Sequence, residues 1–214
     1  MKDLRFVIGL LGLAAPSWAL QSSAPTRRAV LGGLAGVALS PVAQKPAYAA
    51  VGLKEYTDAR YGVKFGIPEG WTASQTELPD GRLIVTATDP SDVDFNVFCT
   101  FTPIRPDYSS LGSFGTIDYV AGTIIPQCNG ATCSFENGDA IEGRMVSQQV
   151  VKGNYAYDYT IQQKGGPLRH LRSVIGIKAD GGSSLLVGLG AQCLGPRYDA
   201  ESATLKAIMD SFKI

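Results

Sequence analysis

The chain is poor in the residues that perform chemistry. It holds a single histidine, His170, in 214 residues, and its four cysteines include no Cys-x-x-Cys pair, so a zinc site lacks its usual ligand set. A Ser-His-Asp triad could in principle use His170, but no Gly-x-Ser-x-Gly elbow supplies a matching nucleophile. The residue therefore reads as an exposed or hydrogen-bonded histidine near a strand start. No apolar run reaches the ~20 residues of a membrane-spanning helix. Excess charge of one sign is also missing, with 19 basic residues against 19 acidic ones. Low-complexity, collagenous and coiled-coil composition are absent, which leaves an ordinary globular class.

The charge balance conceals two unlike parts. Residues 1–50 carry five basic side chains and one acid, Asp3, whereas residues 51–214 carry 14 basic and 18 acidic ones and are net −4. That mild acidity argues against nucleic-acid binding, which needs a Lys/Arg footprint to neutralise phosphates. About 165 residues remain after residue 49, enough to bury one core.

The first part has the physics of a two-stage address. Lys2 and Arg5 precede an apolar run from Phe6 to Ala15, and Ser17-Trp18-Ala19 offers a small-x-small cleavage site, so residues 1–19 read as a signal peptide. A short hydroxyl-bearing stretch follows. Then Arg27-Arg28, an apolar Gly/Ala-rich run to Leu39 and Ala47-Tyr48-Ala49 read as a twin-arginine transport signal cleaved after Ala49. The competing reading is a buried hydrophobic helix or a membrane anchor. Two signals in series suit a compartment behind several membranes, and the arrangement resembles leaders that deliver proteins to the thylakoid lumen of algal plastids. Residues 20–49 are thus expected to be a short transit stretch plus lumenal signal, and residues 50–214 the mature domain.

Period-two alternation dominates the mature part. Leu83, Val85 and Ala87 share one face, and Val97, Cys99 and Phe101 alternate with Asn96, Phe98 and Thr100. Further strands are expected over 63–67, 144–152, 156–163, 169–178 and 184–193, with turns at Gly165-Gly166-Pro167 and Asp180-Gly181-Gly182. Ser113 is expected to cap a helix reaching about Ile125, stopped by Pro126, and Asp199 to cap a second over 200–212. Strands in tight succession with helices to cover them predict an α+β fold, a central antiparallel β-sheet flanked by helices in an α/β/α sandwich.

Candidate sites in this domain are few. Cys128 and Cys133 bracket a four-residue turn short enough for a disulfide. Cys99 and Cys193 lie in apolar strand patterns as small core residues, or pair with each other if their strands are neighbours. Asp89, Asp92 and Asp94 crowd one loop and are the weak candidates for Ca²⁺, although the loop lacks the EF-hand glycine and distal glutamate, and a solvated turn is the simpler reading. Tyr155, Tyr157 and Tyr159 line one strand face, the pattern of packing residues.

The motif Tyr61-Gly62-Val63-Lys64-Phe65-Gly66-Ile67-Pro68-Glu69-Gly70-Trp71 resembles the opening of the PsbP family, in which an aromatic-bearing strand runs into Pro and then Trp. Thr88-Asp89-Pro90, Asn96-Val97 and Thr102-Pro103 followed by a helix match the family's order of elements, as does the last hairpin and helix from Lys178 through Cys193 to Phe212. The resemblance covers nearly all of residues 55–214. It implies a noncatalytic extrinsic subunit of the photosystem II oxygen-evolving complex, docked on the lumenal surface beside other extrinsic subunits and helping to retain Ca²⁺ and Cl⁻, peripheral to the thylakoid membrane. Only about a dozen residues separate Ala49 from Tyr61, whereas members that support water oxidation carry a longer flexible segment there. A PsbP-like or PsbP-domain assembly or repair factor is therefore the alternative.

Overall fold

The structure, a computed structural model, describes residues 52–124, 132–180 and 182–214. Ten strands and two helices follow in the order β1 (Leu53–Thr57), β2 (Lys64–Pro68), β3 (Thr72–Glu77), β4 (Leu83–Asp89), β5 (Asp92–Ile104), α1 (Ile117–Ile124), β6 (Thr132–Cys133), β7 (Ile141–Val151), β8 (Asn154–Gln163), β9 (Leu168–Asp180), β10 (Ser183–Leu194) and α2 (Tyr198–Asp210). Eight strands form one antiparallel sheet in the order β3-β4-β5-β10-β9-β8-β7-β6, while β1 and β2 pair separately. The long β9–β10 hairpin sits at the centre. Its register brings Val187 opposite Gly176 and, on the other side, opposite Phe101.

Each face of the central strands is buried, because different elements cover the two sides. On one face Val97, Cys99, Phe101, Val187, Leu189 and Cys193 pack against β2 (Phe65, Ile67) and against Leu205 and Ile208 of α2. On the other, Phe98, Tyr159, Leu171 and Ile175 pack against Val120, Ala121 and Ile124 of the eight-residue α1. The fold is accordingly a sheet-dominated α+β arrangement with two helices among the described residues. The α2 face shares its cover with the β1–β2 hairpin, so flanking by helices is only part of what closes the cores. Burying each large side chain here contributes ~1.5–3 kcal/mol.

The opening motif has a local cause at each position. Tyr61 stacks on Phe101 with ring centroids 5.2 Å apart, and Trp71 meets Phe95 edge-on at 4.8 Å. Gly62 and Gly70 bracket β2 at φ +66° and +86°, where a side chain would be strained. Asp58, 1% exposed, accepts the Arg60 and Tyr61 amides and closes the β1–β2 turn.

The helix starts differ from expectation. Ser113 ends a 3-10 turn over Leu111–Ser113, and α1 begins four residues later with Thr116 Oγ1 accepting the Tyr119 amide. Gly115 at φ +128° separates the two turns, which apolar spacing alone does not register. Likewise α2 starts at Tyr198, and Asp199 lies inside its first turn. The turn at Gly165 is in place, with φ +79°, whereas Gly181 and the expected helix end near Ile125 lie outside the described residues.

Candidate functional site

A half-buried polar cluster lies where β8, β9 and the start of α2 meet. Alternation on β8 and β9 turns Asp158, His170 and Arg172 toward the α2 face, and α2 supplies Tyr198 as its first residue. The His170 ring lies flat on the Tyr198 ring, centroids 3.3 Å apart, and its Nε2 meets Asp158 Oδ1. Tyr198 donates its hydroxyl to Asp158 Oδ2 at 3.0 Å and accepts Arg172 Nη2 at 2.6 Å. Arg172 Nε is 3.0 Å from Asp158 Oδ2 but off the hydrogen-bond direction, an ionic contact only. Burial raises the Asp158 carboxyl, but the His170 hydrogen bond and charge, then Arg172 and Tyr198, outweigh it and hold the group below its ordinary value. Burial likewise pushes the Tyr198 phenol up.

The cluster links an imidazole, a carboxylate and a phenol, and among the described residues no serine, threonine or cysteine side chain hydrogen-bonds to any of them. Both Asp158 oxygens and the His170 Nε2 are committed to one another and to Tyr198, so the work they do is to hold the start of α2 on the sheet. Sequence spacing could suggest that His170 faces a neighbour on β8. Nothing in it indicates that Tyr198 closes over the ring from a distant helix.

The three loop carboxylates are not brought to a common point. Asp89 Oδ1 accepts the Ser91 amide and hydroxyl at 2.8 and 2.7 Å, and these hydrogen bonds hold it below the usual carboxylate range. Asp92 pairs with Arg197, which also binds Glu201, and Asp94 pairs with Arg169. Two of the three are thus neutralised by arginines that a Ca²⁺ ion would have to displace, and the set does not fit that cation. Among the described residues no three His, Cys, Asp or Glu side chains gather to hold a metal ion. The loop instead ties the β4–β5 turn to α2 and β9.

The cysteines separate into two kinds. Cys133 is buried and disulfide-bonded, while Cys128, its expected partner, lies outside the described residues. Cys99 and Cys193 are free and fully buried. Their strands are neighbours, but Cys99 faces Leu189, four residues along β10 from Cys193, so the pairing between them fails on register. Burial pushes the Cys193 thiol up to about 11 and the Cys99 thiol well above its ordinary value. The tyrosine row packs as expected and does more: Tyr155 and Tyr157 donate to the carbonyls of Gly115 and Ile117 at 3.1 and 3.3 Å, fixing the start of α1.

An open groove of about 440 Å³ adjoins the polar cluster. It forms because α2 does not extend over the outer strands, where Ser147, Gln149 and Ala156 stand in place of large core residues. Val174, Met209 and Phe212 make its apolar wall, and Arg172, Lys206, Asp210 and Lys152 line it. Leader residues Ala19, Arg27, Arg28 and Ala49 lie outside the described residues. No helix of the described part is long and apolar enough to cross a membrane.

Comparison with known proteins agrees with this architecture. A curated relative, PsbP domain-containing protein 3, chloroplastic, of Arabidopsis thaliana, is 28% identical over 178 residues, spanning 81% of this chain and 70% of its own. Cyanobacterial PsbP (CyanoP) from Synechocystis sp. PCC 6803 has the same fold, with a TM-score of 0.54 at 17% identity over 82% of this chain and 99% of its own. The family model described as PsbP matches residues 51–214, the whole of the sheet and both helices, and the chain therefore belongs to the PsbP family.

Proposed function

We propose that the mature domain is a noncatalytic docking protein of the plastid thylakoid lumen that binds the lumenal face of photosystem II as an extrinsic subunit, beside other extrinsic subunits. The observation that carries this reading is the PsbP match over residues 51–214. The word "chloroplastic" in the name of the Arabidopsis relative supports a plastid address. The leader motifs would provide the route: cleavage after Ala19, twin-arginine transport through Arg27 and Arg28, cleavage after Ala49 and release of residues 50–214. A noncatalytic role suits a domain whose only histidine is locked between Asp158 and Tyr198. Help in retaining Ca²⁺ and Cl⁻ would then come from covering the photosystem surface and slowing ion exchange, since Asp92 and Asp94 are spoken for by arginines.

A second reading has an observation in its favour. The curated relative is named as a PsbP domain-containing protein, which favours a PsbP-like assembly or repair factor for a thylakoid complex. Stoichiometry separates the two. A subunit co-migrates with mature, oxygen-evolving photosystem II on a native gel at near one copy per centre and leaves on a salt wash, because screening weakens exposed charge pairs. An assembly factor is found at substoichiometric levels on immature complexes. Absence from every photosystem II species, before and after the wash, would sink the subunit reading, and absence from every immature thylakoid complex would sink the other.

A further inference from the structure

We propose that the groove between α2 and the outer strands β7 and β8 is a binding site for an extended acidic segment of a partner protein. The inference rests on the reading of the domain as a docking module and not on which complex it serves.

The groove has the composition of a peptide seat. Its wall is Val174, Met209 and Phe212, of which Met209 is only half-buried and is flexible enough to mould to a ligand side chain. Facing that wall, Ser147, Gln149 and Asn154 present hydroxyl and amide groups that have no hydrogen-bond partner among the described residues, the chemistry a peptide backbone needs when laid down as a strand. The mouth is the β7–β8 turn, where Val151 is exposed and Lys152 is held at φ +51°, the one described non-glycine residue with a positive φ.

Charge selects the occupant. Five charged side chains line the groove: Arg172, Lys206 and Lys152 against Asp158 and Asp210. Asp158 is engaged by His170, Tyr198 and Arg172, and Asp210 by Lys206, whereas Lys152 has no ion-pair partner among the described residues. The groove is therefore net +1 within a domain whose residues 51–214 are net −4. The Lys206–Asp210 pair is exposed and one turn apart, so it yields to a better-placed carboxylate at little cost. A basic segment would meet the free Lys152 and no free acid.

The probe is a fluorescein-labelled octapeptide of alternating Glu and Val, followed by anisotropy against the full chain, with a Lys-Val octapeptide as control. The Glu-Val peptide is expected to bind and the Lys-Val peptide not to. Lys152→Asn keeps a residue suited to positive φ, and combined with Lys206→Gln it is expected to weaken binding about fivefold with no loss of thermal stability. Methyl NMR signals of Val151, Val174 and Met209 should shift on titration. Equal binding of both peptides, or shifts confined to another face, overturns the proposal. So does a result in which the double substitution abolishes self-association, or attachment to phosphatidylglycerol vesicles, while no peptide binds. If peptide binding fails but co-migration with photosystem II persists, this site falls and the proposed function stands.

Discussion

Asp158 is the residue on which the polar cluster turns, since His170, Arg172 and Tyr198 all converge on its two oxygens. Its carboxyl is held below its ordinary value of 3.8 in the fold, so the unfolded chain takes up a proton at higher pH than the folded one does. The stabilisation is present in full above about pH 4 and is lost as pH falls through the depressed folded value. Urea unfolding of Asp158→Asn is expected to show a loss of about 2 kcal/mol at neutral pH, the cost of leaving the half-buried Arg172 guanidinium and the Tyr198 hydroxyl without their carboxylate partner. The same variant should have a flatter acid limb than the parent below pH 4. An unchanged acid limb would mean that other carboxylates govern it. His170→Phe retains the stack on Tyr198 but deletes the Asp158 contact, and it should fall between the two.

Elements in this fold are tied by a few backbone contacts far apart in sequence. The end of α2 is stitched to β2: the Gly66 amide donates to Ser211 Oγ at 2.6 Å, and Lys64 and Lys213 exchange backbone hydrogen bonds at 2.9 Å. Ser211→Ala orphans the Gly66 amide and is expected to cost about 2 kcal/mol, with faster amide exchange at Gly66 as the specific readout. The centre of the sheet has a steric counterpart. Phe98 lies over Gly190 so closely that an added Cβ would stand 2.4 Å from its ring. Gly190→Ala must therefore displace a core aromatic, and a loss of about 2 kcal/mol in chemical denaturation is expected. Little change would show that the ring can turn aside. Val146, by contrast, lies at the β-bulge of β7 and is 55% exposed, so its replacement by Thr should be nearly neutral.

Across the whole molecule, the two free thiols and the disulfide respond to different conditions. Cys99 and Cys193 should resist thiol reagents in the native protein and react only on unfolding, giving two labels per chain before reduction. Four labels without reductant would refute the proposed Cys128–Cys133 bridge. Reducing it should lower stability by about 2 kcal/mol, the small-loop limit of chain-entropy stabilisation. Much of the framework is legible from local pattern, for local reasons. Alternation places Leu83, Val85 and Ala87 on one face because side chains of a strand must alternate, and all three are core residues. Gly62, Pro68 and Gly70 mark where the chain turns because backbone sterics permit little else there. Local pattern is silent where contacts join residues far apart in the chain. The Phe98 face gives no sign that Val120, Ala121 and Ile124 of α1 will cover it. The loop acids Asp92 and Asp94 read as a solvated turn or a weak ion site, and nothing nearby in sequence announces Arg197 and Arg169, which arrive from 105 and 75 positions away. The seat along α2 has no motif, since it exists only because a 13-residue helix stops short of strands that carry Ser147, Gln149 and Ala156. Backbone stereochemistry and side-chain alternation act within a few residues, and so they can be read along the chain. Which charges neutralise one another and which faces stay open depend on closure in three dimensions.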